Sequence, residues 1–393
     1  MRATSIKLIA LIACLALSLG PELRAQAAGI EQSWTRQVTQ GVVYTHMRVR
    51  LDQGPAHLHI LEISPDSGYT ILPVIANGRI GSLAQVSTLA KNARAVAAIN
   101  GGFFDTSSSH LPVGLIKINN HTIFEQFLPR PVLGIDANGA PHFATFTLHS
   151  RVFIPETGLT LPLFGYNRQR KAGEIIAYSS DFGSSTGTND WGQELRLLRL
   201  STQEARTGEE NFIGERYLVV GENTGNTPIG EDELVLSFHS TAMRKYASQL
   251  KSLYPGAEVE VRTNVPQGWE KFPHLLGGGP MLVKDGDYAL DFRAEHFTGA
   301  MNSPTARTAV GKTRNGSIVL IVVDAGSRSY SVGATWHQLA MLGMDLLGLT
   351  DLMGFDGGGS STMYVDNKVV NEPKGGAQRS VSNIIAVVRK PRG

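Results

Sequence analysis

Four glycine-bearing segments, each butted against an apolar run of strand length, constrain this chain more than any other feature. They are Asn100-Gly101-Gly102-Phe103-Phe104-Asp105, Leu276-Gly277-Gly278-Gly279-Pro280, Arg307-Thr308-Ala309-Val310-Gly311 and Phe355-Asp356-Gly357-Gly358-Gly359-Ser360-Ser361. Consecutive glycines break a regular ladder or helix and let backbone turn tightly or come close to another chain segment or a ligand. The glycines, 43 of 393, gather in such short runs and keep no fixed period. That pattern points to tight loops between strands and away from a solenoid or a flexible linker.

Apolar or alternating runs of strand length cover 42–50, 57–63, 70–75, 95–99, 113–118 and 132–135. Apolar spacing predicts a helix over 82–93, with Ser82 as its N-cap, and another near 241–253, stopped by Pro255-Gly256. A strand over 318–324, a helix over 334–347 and a short strand over 352–355 read as a crossover unit. Strand signal resumes at 363–365 and 369–370, around a tight turn at Asp366-Asn367, and again at 384–388, while the charged stretch 202–215 reads as a surface loop. The fold class expected is α+β: a mixed, strand-rich sheet core with flanking helices in a single domain over 28–393, with residues 95–136 and 272–388 sharing one core.

The first 27 residues read as an export signal, with Arg2 and Lys7 before an apolar stretch and Ala25-Gln26-Ala27 as a small-x-small cleavage site. Leu11-Ile12-Ala13-Cys14 also fits a lipobox, so a lipid anchor through Cys14 is the competing expectation. Export to the periplasm or medium is expected, without a membrane span, because no other apolar run approaches about 18 residues. Cys14 is the only cysteine and would leave with the signal, so no disulfide supports the mature fold. Without residues 1–27, which hold Arg2, Lys7, Arg24 and Glu22, the formal charge of +2 falls to zero. Nothing here suggests a nucleic-acid partner. The sequence is silent on oligomeric state.

Within the glycine segments certain side chains stand out for their chemistry. Asp356 leaves a short strand just before three glycines, and Asp324 ends the preceding strand of the crossover unit. Strand ends of an open sheet are where ligand crevices form, though an Asp in a turn also bonds its own backbone. Arg307 sits in a charge-poor strand-like segment, where an unpaired guanidinium is costly to bury; a carboxylate or a phosphate would suit its planar fork. Arg379 in the late loop reads the same way. Asn100 could bridge sugar hydroxyls or simply close a turn. Gly278, Gly279, Gly357 and Gly358, with Ser360, could converge amides on an anion. Thr186 and Asn189 could line a sugar site or a polar hairpin, and Asp105 and His110 are further candidates for proton transfer. No HExxH, paired CxxC or calcium-loop spacing appears, so no cofactor is expected, and a cation held by scattered Asp and Asn side chains stays open.

Taken together and in order, these segments resemble the phosphodiester glycosidase family. The resemblance extends to Phe182-Gly183-Ser184-Ser185-Thr186-Gly187-Thr188-Asn189, to Ser331-Val332-Gly333-Ala334-Thr335, to Asn371-Glu372-Pro373 and to Arg379-Ser380-Val381-Ser382-Asn383. It runs from about 60 to 390 and is densest from 272 onward; Asp324-Ala325-Gly326 departs from the Asp-Gly-Arg more usual in relatives.

The resemblance implies an exported hydrolase that cuts the C1–O bond of a carbohydrate phosphodiester, with Asp356 or Asp324 activating water or shielding an oxocarbenium-like centre. Arg307, Arg379 and glycine amides would hold the phosphate. Two other readings remain: an exported glycan-binding or envelope-assembly protein without turnover, and a serine hydrolase using Ser185 in Gly183-Ser184-Ser185-Thr186-Gly187, which requires that segment to join a strand to a helix.

Overall fold

The computed structural model describes residues 29–200, 205–206, 212–299 and 301–390. The export signal and Cys14 lie outside the described residues. Almost every long apolar run becomes a strand, and every sheet pairing is antiparallel. The largest sheet runs Gly29–Thr39, Val42–Leu51, Gly54–Ile63, Ile318–Val323, Arg307–Thr313, Leu349–Phe355, Met281–Lys284 and Asp287–Tyr288 in spatial order. A second sheet orders Lys368–Val369, Met363–Val365, Ala97–Asn100, Asn383–Arg389 and Tyr69–Ile75; a third orders Pro141–Phe146, Arg130–Ile135, His274–Gly277, Ile116–Ile118 and His121–Phe124.

Side chains alternate across a strand, and the inward faces of these three sheets share one apolar core. Leu61, Ile71, Ile99, Leu133, Val310, Leu320, Met353 and Ile385 belong to it, so residues 95–136 and 272–388 do share a core. The outer face of the large sheet is covered by Trp336, Leu339, Ala340 and Leu342 against Val49, Leu58 and Ile321. Val86, Leu89 and Ala90 cover the second sheet at Ala98, Tyr364 and Ile384. Residues 150–264 build a fourth sheet with a core of their own, including Val152, Leu195, Leu236, Phe238 and Val261.

The α+β expectation needs correcting toward a mostly-β fold: 46% of the chain is strand and 11% helix. The helices are short because tertiary pairing and local geometry cut them. Ala84–Gln85 pairs with Ser380–Val381, so the helix expected from Ser82 begins only at Val86 and its N-cap is Gln85. The helix expected over 241–253 breaks at Tyr246 into Ser240–Lys245 and Ala247–Leu250. In the third, Thr335 and Gln338 form a reciprocal cap, Trp336–Met341 is α-helical, and Leu342–Leu346 continues as a π-turn.

Ile318–Val323 and Leu349–Phe355 are both antiparallel to Arg307–Thr313, which lies between them. They therefore run parallel, joined by the helical crossover. Asp366 and Asn367 both take positive φ in the expected hairpin turn. The described part of the charged stretch is not a loop: Phe212–Asn223 is a long strand, paired with Ala205–Arg206.

Candidate active site

The registers bring the ends of several strands to one end of the core. Arg307 pairs with Val323, Thr308 with Phe355, Met363 with Ile99 and Ile384 with Asn100. Asp324 and Asp356, the residues that follow two of these strands, therefore leave the sheets at the same end as Asn100, Arg307 and Asn383.

Asp356 is half-buried. Its N–H donates to Gly101 O at 3.1 Å and its carbonyl accepts from Asn100 Nδ2 at 2.6 Å. Burial pushes its carboxyl pKa up to about 6, against the opposing pull of the Ser360 hydroxyl, the Arg379 charge and the Gly357 N–H. Arg379 is exposed and its guanidinium lies against Gly359. Ser360 is fully buried. Asp356, Ser360, Gly357 and Arg379 thus form one charged group on the glycine-rich turn.

Asp324 sits in the opposite environment. It is fully buried, and its carboxylate accepts from His59 Nε2 at 2.9 Å, Tyr330 Oη at 2.7 Å, Asn371 Nδ2 at 3.0 Å and the Glu372 N–H at 3.1 Å. Burial alone would raise its pKa; the His59 hydrogen bond and charge, with Tyr330 and Asn371, outweigh it and hold the carboxyl below its usual range. Behind His59, Tyr44 Oη lies 2.7 Å from Nδ1. Trp34 Nε1 can only donate, and it donates to His46 Nδ1 at 3.1 Å, leaving His46 Nε2 facing His57 Nδ1 at 2.9 Å. The His57 ring stacks on Tyr330 with centroids 4.3 Å apart.

A buried hydrogen-bond chain joins the two carboxylates' surroundings. Asn371 Nδ2 also donates to Ser361 O at 3.2 Å, Thr308 Oγ1 reaches Ser361 Oγ at 3.1 Å and Asn100 Oδ1 at 2.8 Å, and Asn100 holds the Asp356 carbonyl. Asn100 also accepts from the Thr362 N–H at 3.1 Å. Its amide is therefore engaged by protein on both sides, and the expectation that it bridges sugar hydroxyls gives way to a framework role.

Arg307 is also placed differently from the expectation. It is 5% exposed; Nε donates to Ala334 O at 2.9 Å, and Nη2 donates to Met301 O at 3.1 Å and Ser303 O at 2.6 Å. The guanidinium lies over Trp336, 4.2 Å from the ring centroid, and burial lowers its pKa to about 10. Among the described residues it forms no ion pair. It clamps the 301–303 and 334 loops through their carbonyls.

The glycines act mainly by close approach. A Cβ at Gly101 would fall 2.0 Å from Asn383 Oδ1, and one at Gly278 would fall 2.9 Å from Gly354 O. The amides expected to form an anion nest are largely spent: Gly278 donates to Pro131 O, Gly279 to Gly354 O and Gly358 to Ala306 O. Gly357 N–H is directed to the Asp356 carboxylate.

Thr186 and Asn189 belong to the fourth sheet's loops. Thr186 Oγ1 donates to the buried Glu194 at 2.9 Å, and Asn189 Oδ1 accepts from Arg170 at 2.9 Å. Among the described residues none of the hydrogen bonds or ion pairs they make reaches the Asp356 group. Asp105 is wrapped by the hydroxyls and amides of Ser107, Ser108 and Ser109, which hold its pKa well below the usual carboxylate range. His110 Nδ1 lies 3.2 Å from Asp105 O, in a left-handed backbone conformation. The serine-hydrolase reading fails on structure. Ser185 forms a bridge with Pro228, its hydroxyl donates to Asn226 at 2.9 Å, and the next element is strand Gly192–Arg199 rather than a helix. No group of three His, Cys, Asp or Glu able to hold a metal occurs among the described residues, and no helix among them is long and apolar enough to cross a membrane.

Sequence reasoning missed Thr308, Ser361, Asn371, His59 and Tyr330. The signal for His59 was present: Tyr44-x-His46 and His57-x-His59 alternate on neighbouring strands, which puts their rings on one face.

Antiparallel sheets that gather glycine turns and a half-buried carboxyl at one strand end define a strand-rich, mostly-β domain with a candidate site at that end. Residues 217–388 match the family described as phosphodiester glycosidase, which bears out the resemblance carried by the sequence motifs. Sequence comparison with curated proteins gives no match. Among solved structures, a hypothetical protein from Synechocystis superposes with a TM-score of 0.73 at 22% identity over 92% of this chain. This chain spans 64% of that protein's length. A candidate exported protein from Burkholderia pseudomallei K96243 gives 0.69 at 17% identity, over 94% of this chain and 98% of that one. The zebrafish N-acetylglucosamine-1-phosphodiester alpha-N-acetylglucosaminidase catalytic domain, auto-inhibited by its pro-peptide, gives 0.45 at 14%, over 94% and 91%.

Proposed function

We propose that this chain is an exported hydrolase that cuts the sugar C1–O bond of a sugar-1-phosphodiester in a glycan or envelope polymer. The observation that supports this best is the Asp356 group: a half-buried carboxyl with its pKa raised to about 6, beside an exposed arginine on a glycine-rich turn within the family-matched region. A phosphate monoester, with a second pKa of about 6, leaves without strong protonation. Charge stabilisation at the phosphate then matters more than a general acid. Arg379, exposed and held only by a long 3.5 Å hydrogen bond to Ser360 Oγ, meets that phosphate, and Asp356 activates water or steadies positive charge at C1. Arg307 acts indirectly, by fixing the loops around Gly357. Asp324, whose lone pairs are already committed, positions the strand end through Asn371 and Ser361 and transfers no proton.

Hydrolysis in oxygen-18 water tests the reading. Label on the sugar C1 hydroxyl is the expected result, and label on phosphate would show P–O cleavage. Binding of sugar-1-phosphodiesters without turnover would favour the glycan-binding alternative.

A further inference from the structure

Beside the Asp356 group, on the side of Gly101 and Gly279, lies a cluster that the chemistry above does not use. Phe103 follows Gly101-Gly102, and Gly101 O holds the Asp356 N–H. The Phe297 ring covers Gly279, where an added Cβ would meet it at 2.7 Å; the Gly279 amide donates to Gly354 O, two residues before Asp356. Both rings are half-buried, with centroids 5.8 Å apart and planes tilted by 58°. The Arg130 guanidinium stands 4.6 Å over the Phe297 centroid.

Arg130 is short of partners. Nη2 donates to His296 O at a long 3.4 Å, and the buried Nε has no hydrogen-bond partner. The neighbouring Glu295 attracts Arg130 through its charge but takes no hydrogen bond from it: that carboxyl accepts the Met281 N–H instead, at 3.0 and 3.3 Å. Val113, 44% exposed, extends the apolar surface and donates its N–H to Phe103 O. A purely apolar ligand would leave the guanidinium unsatisfied, while a bare anion would make no use of the rings. A pyranose offers both a C–H face for an aromatic wall and hydroxyls for unspent N–H groups.

We propose that Phe103, Phe297 and Arg130 form a sugar subsite next to Asp356, with a pyranose ring of the substrate lying against the two phenyl rings and a hydroxyl accepting from Arg130. This rests on the sugar-1-phosphodiester reading for its place in catalysis, but its binding chemistry is separable from turnover.

Calorimetric titration with three probes tests it: glucose 1-phosphate, cyclohexyl phosphate and inorganic phosphate, against the wild type, Phe297→Ala, Phe297→Leu and Arg130→Gln. Loss of the stacking face weakens glucose 1-phosphate and cyclohexyl phosphate about five- to tenfold and leaves inorganic phosphate unchanged. Phe297→Leu keeps an apolar side chain of somewhat smaller volume without the ring, so a loss shared by both Phe297 variants, at unchanged melting temperature, is due to the ring. Arg130→Gln weakens glucose 1-phosphate alone. Equal weakening of all three probes, no effect of any variant, or no wild-type binding of glucose 1-phosphate overturns the subsite. If the ring-dependent pattern appears and the wild type cleaves no sugar-1-phosphodiester, the subsite stands and the hydrolase reading falls.

Discussion

Replacing Asp356 by Asn should make the protein more stable at pH 8 while abolishing turnover. The carboxyl pKa is raised from 3.8 to about 6, chiefly by burial, so the fold favours the protonated acid. A group raised in this way is fully accommodated below its unfolded pKa and becomes a burden as pH rises through the folded one. A rise of roughly two units corresponds to about 3 kcal/mol. Because the group is only half-buried and faces Arg379, about 1–2 kcal/mol is the reasonable yield. Asn keeps the shape and can still accept from Ser360 and the Gly357 N–H, but carries no charge to bury. For a chain of this size that is a rise in Tm of about 1–3 °C at pH 8, shrinking to nothing near about pH 3, where the carboxyl is protonated in both the folded and the unfolded chain. Paired thermal scans at the two pH values decide it, with turnover measured on the same preparations; loss of the charge should cost on the order of 100- to 10,000-fold in rate. A destabilisation at pH 8 that fades in acid would refute the reasoning, since it would mean that the ionised Asp356–Arg379 pair holds the turn together.

The two arginines should separate by the kind of damage they cause. Arg307→Ala removes three hydrogen bonds to backbone carbonyls and a stack on Trp336, and should cost about 2–4 kcal/mol in denaturant unfolding. Arg379→Ala should cost under about 1 kcal/mol but weaken binding of phosphate-bearing ligands by calorimetry; the reverse order of stabilities would contradict the structure. Asp324→Asn leaves His59 without its anionic partner and should cost about 3–5 kcal/mol at pH 7. Since the Asp324 pKa is depressed, its contribution is present above the unfolded value and lost as pH falls through the folded one. The wild-type advantage over Asp324→Asn should therefore vanish in acid, and a pH-independent gap would tell against the His59 pairing.

How much of this was legible depended on whether the signal was local. The strand ending at Phe355 and the turn that follows it announce themselves in an apolar run stopped by three glycines, and the Asp366-Asn367 hairpin follows from turn chemistry. Gly29–Thr39 gave no warning, because none of its side chains is buried and an edge strand with that pattern lacks apolar alternation. The pairing that shortens the helix at Val86 is a tertiary contact that overrides local propensity, and the break at Tyr246 is a local departure of its backbone from helical geometry. Roles were harder to read than positions. Asn100 and Arg307 stood out in the sequence, yet their partners, Thr308 and Thr362 for one and three loop carbonyls for the other, exist only once the strands are in register.

The same register explains why two aspartates at one end of the core are not equivalent. Antiparallel pairing sets Asp324 behind His59, Tyr330 and Asn371, where four donors keep it charged and shielded from water. Crossing back over Arg307–Thr313, the parallel strand delivers Asp356 onto glycines that give it one hydroxyl and one amide, and a nearby cation in solvent. One pKa is driven down and the other up by environments linked through Asn371, Ser361, Thr308 and Asn100. Carboxyl groups whose surroundings push them apart take different tasks. On the proposed reaction, Asp324 supplies a fixed charge that holds the framework, and Asp356, able to change protonation near neutral pH, is the group that can act on water or on C1.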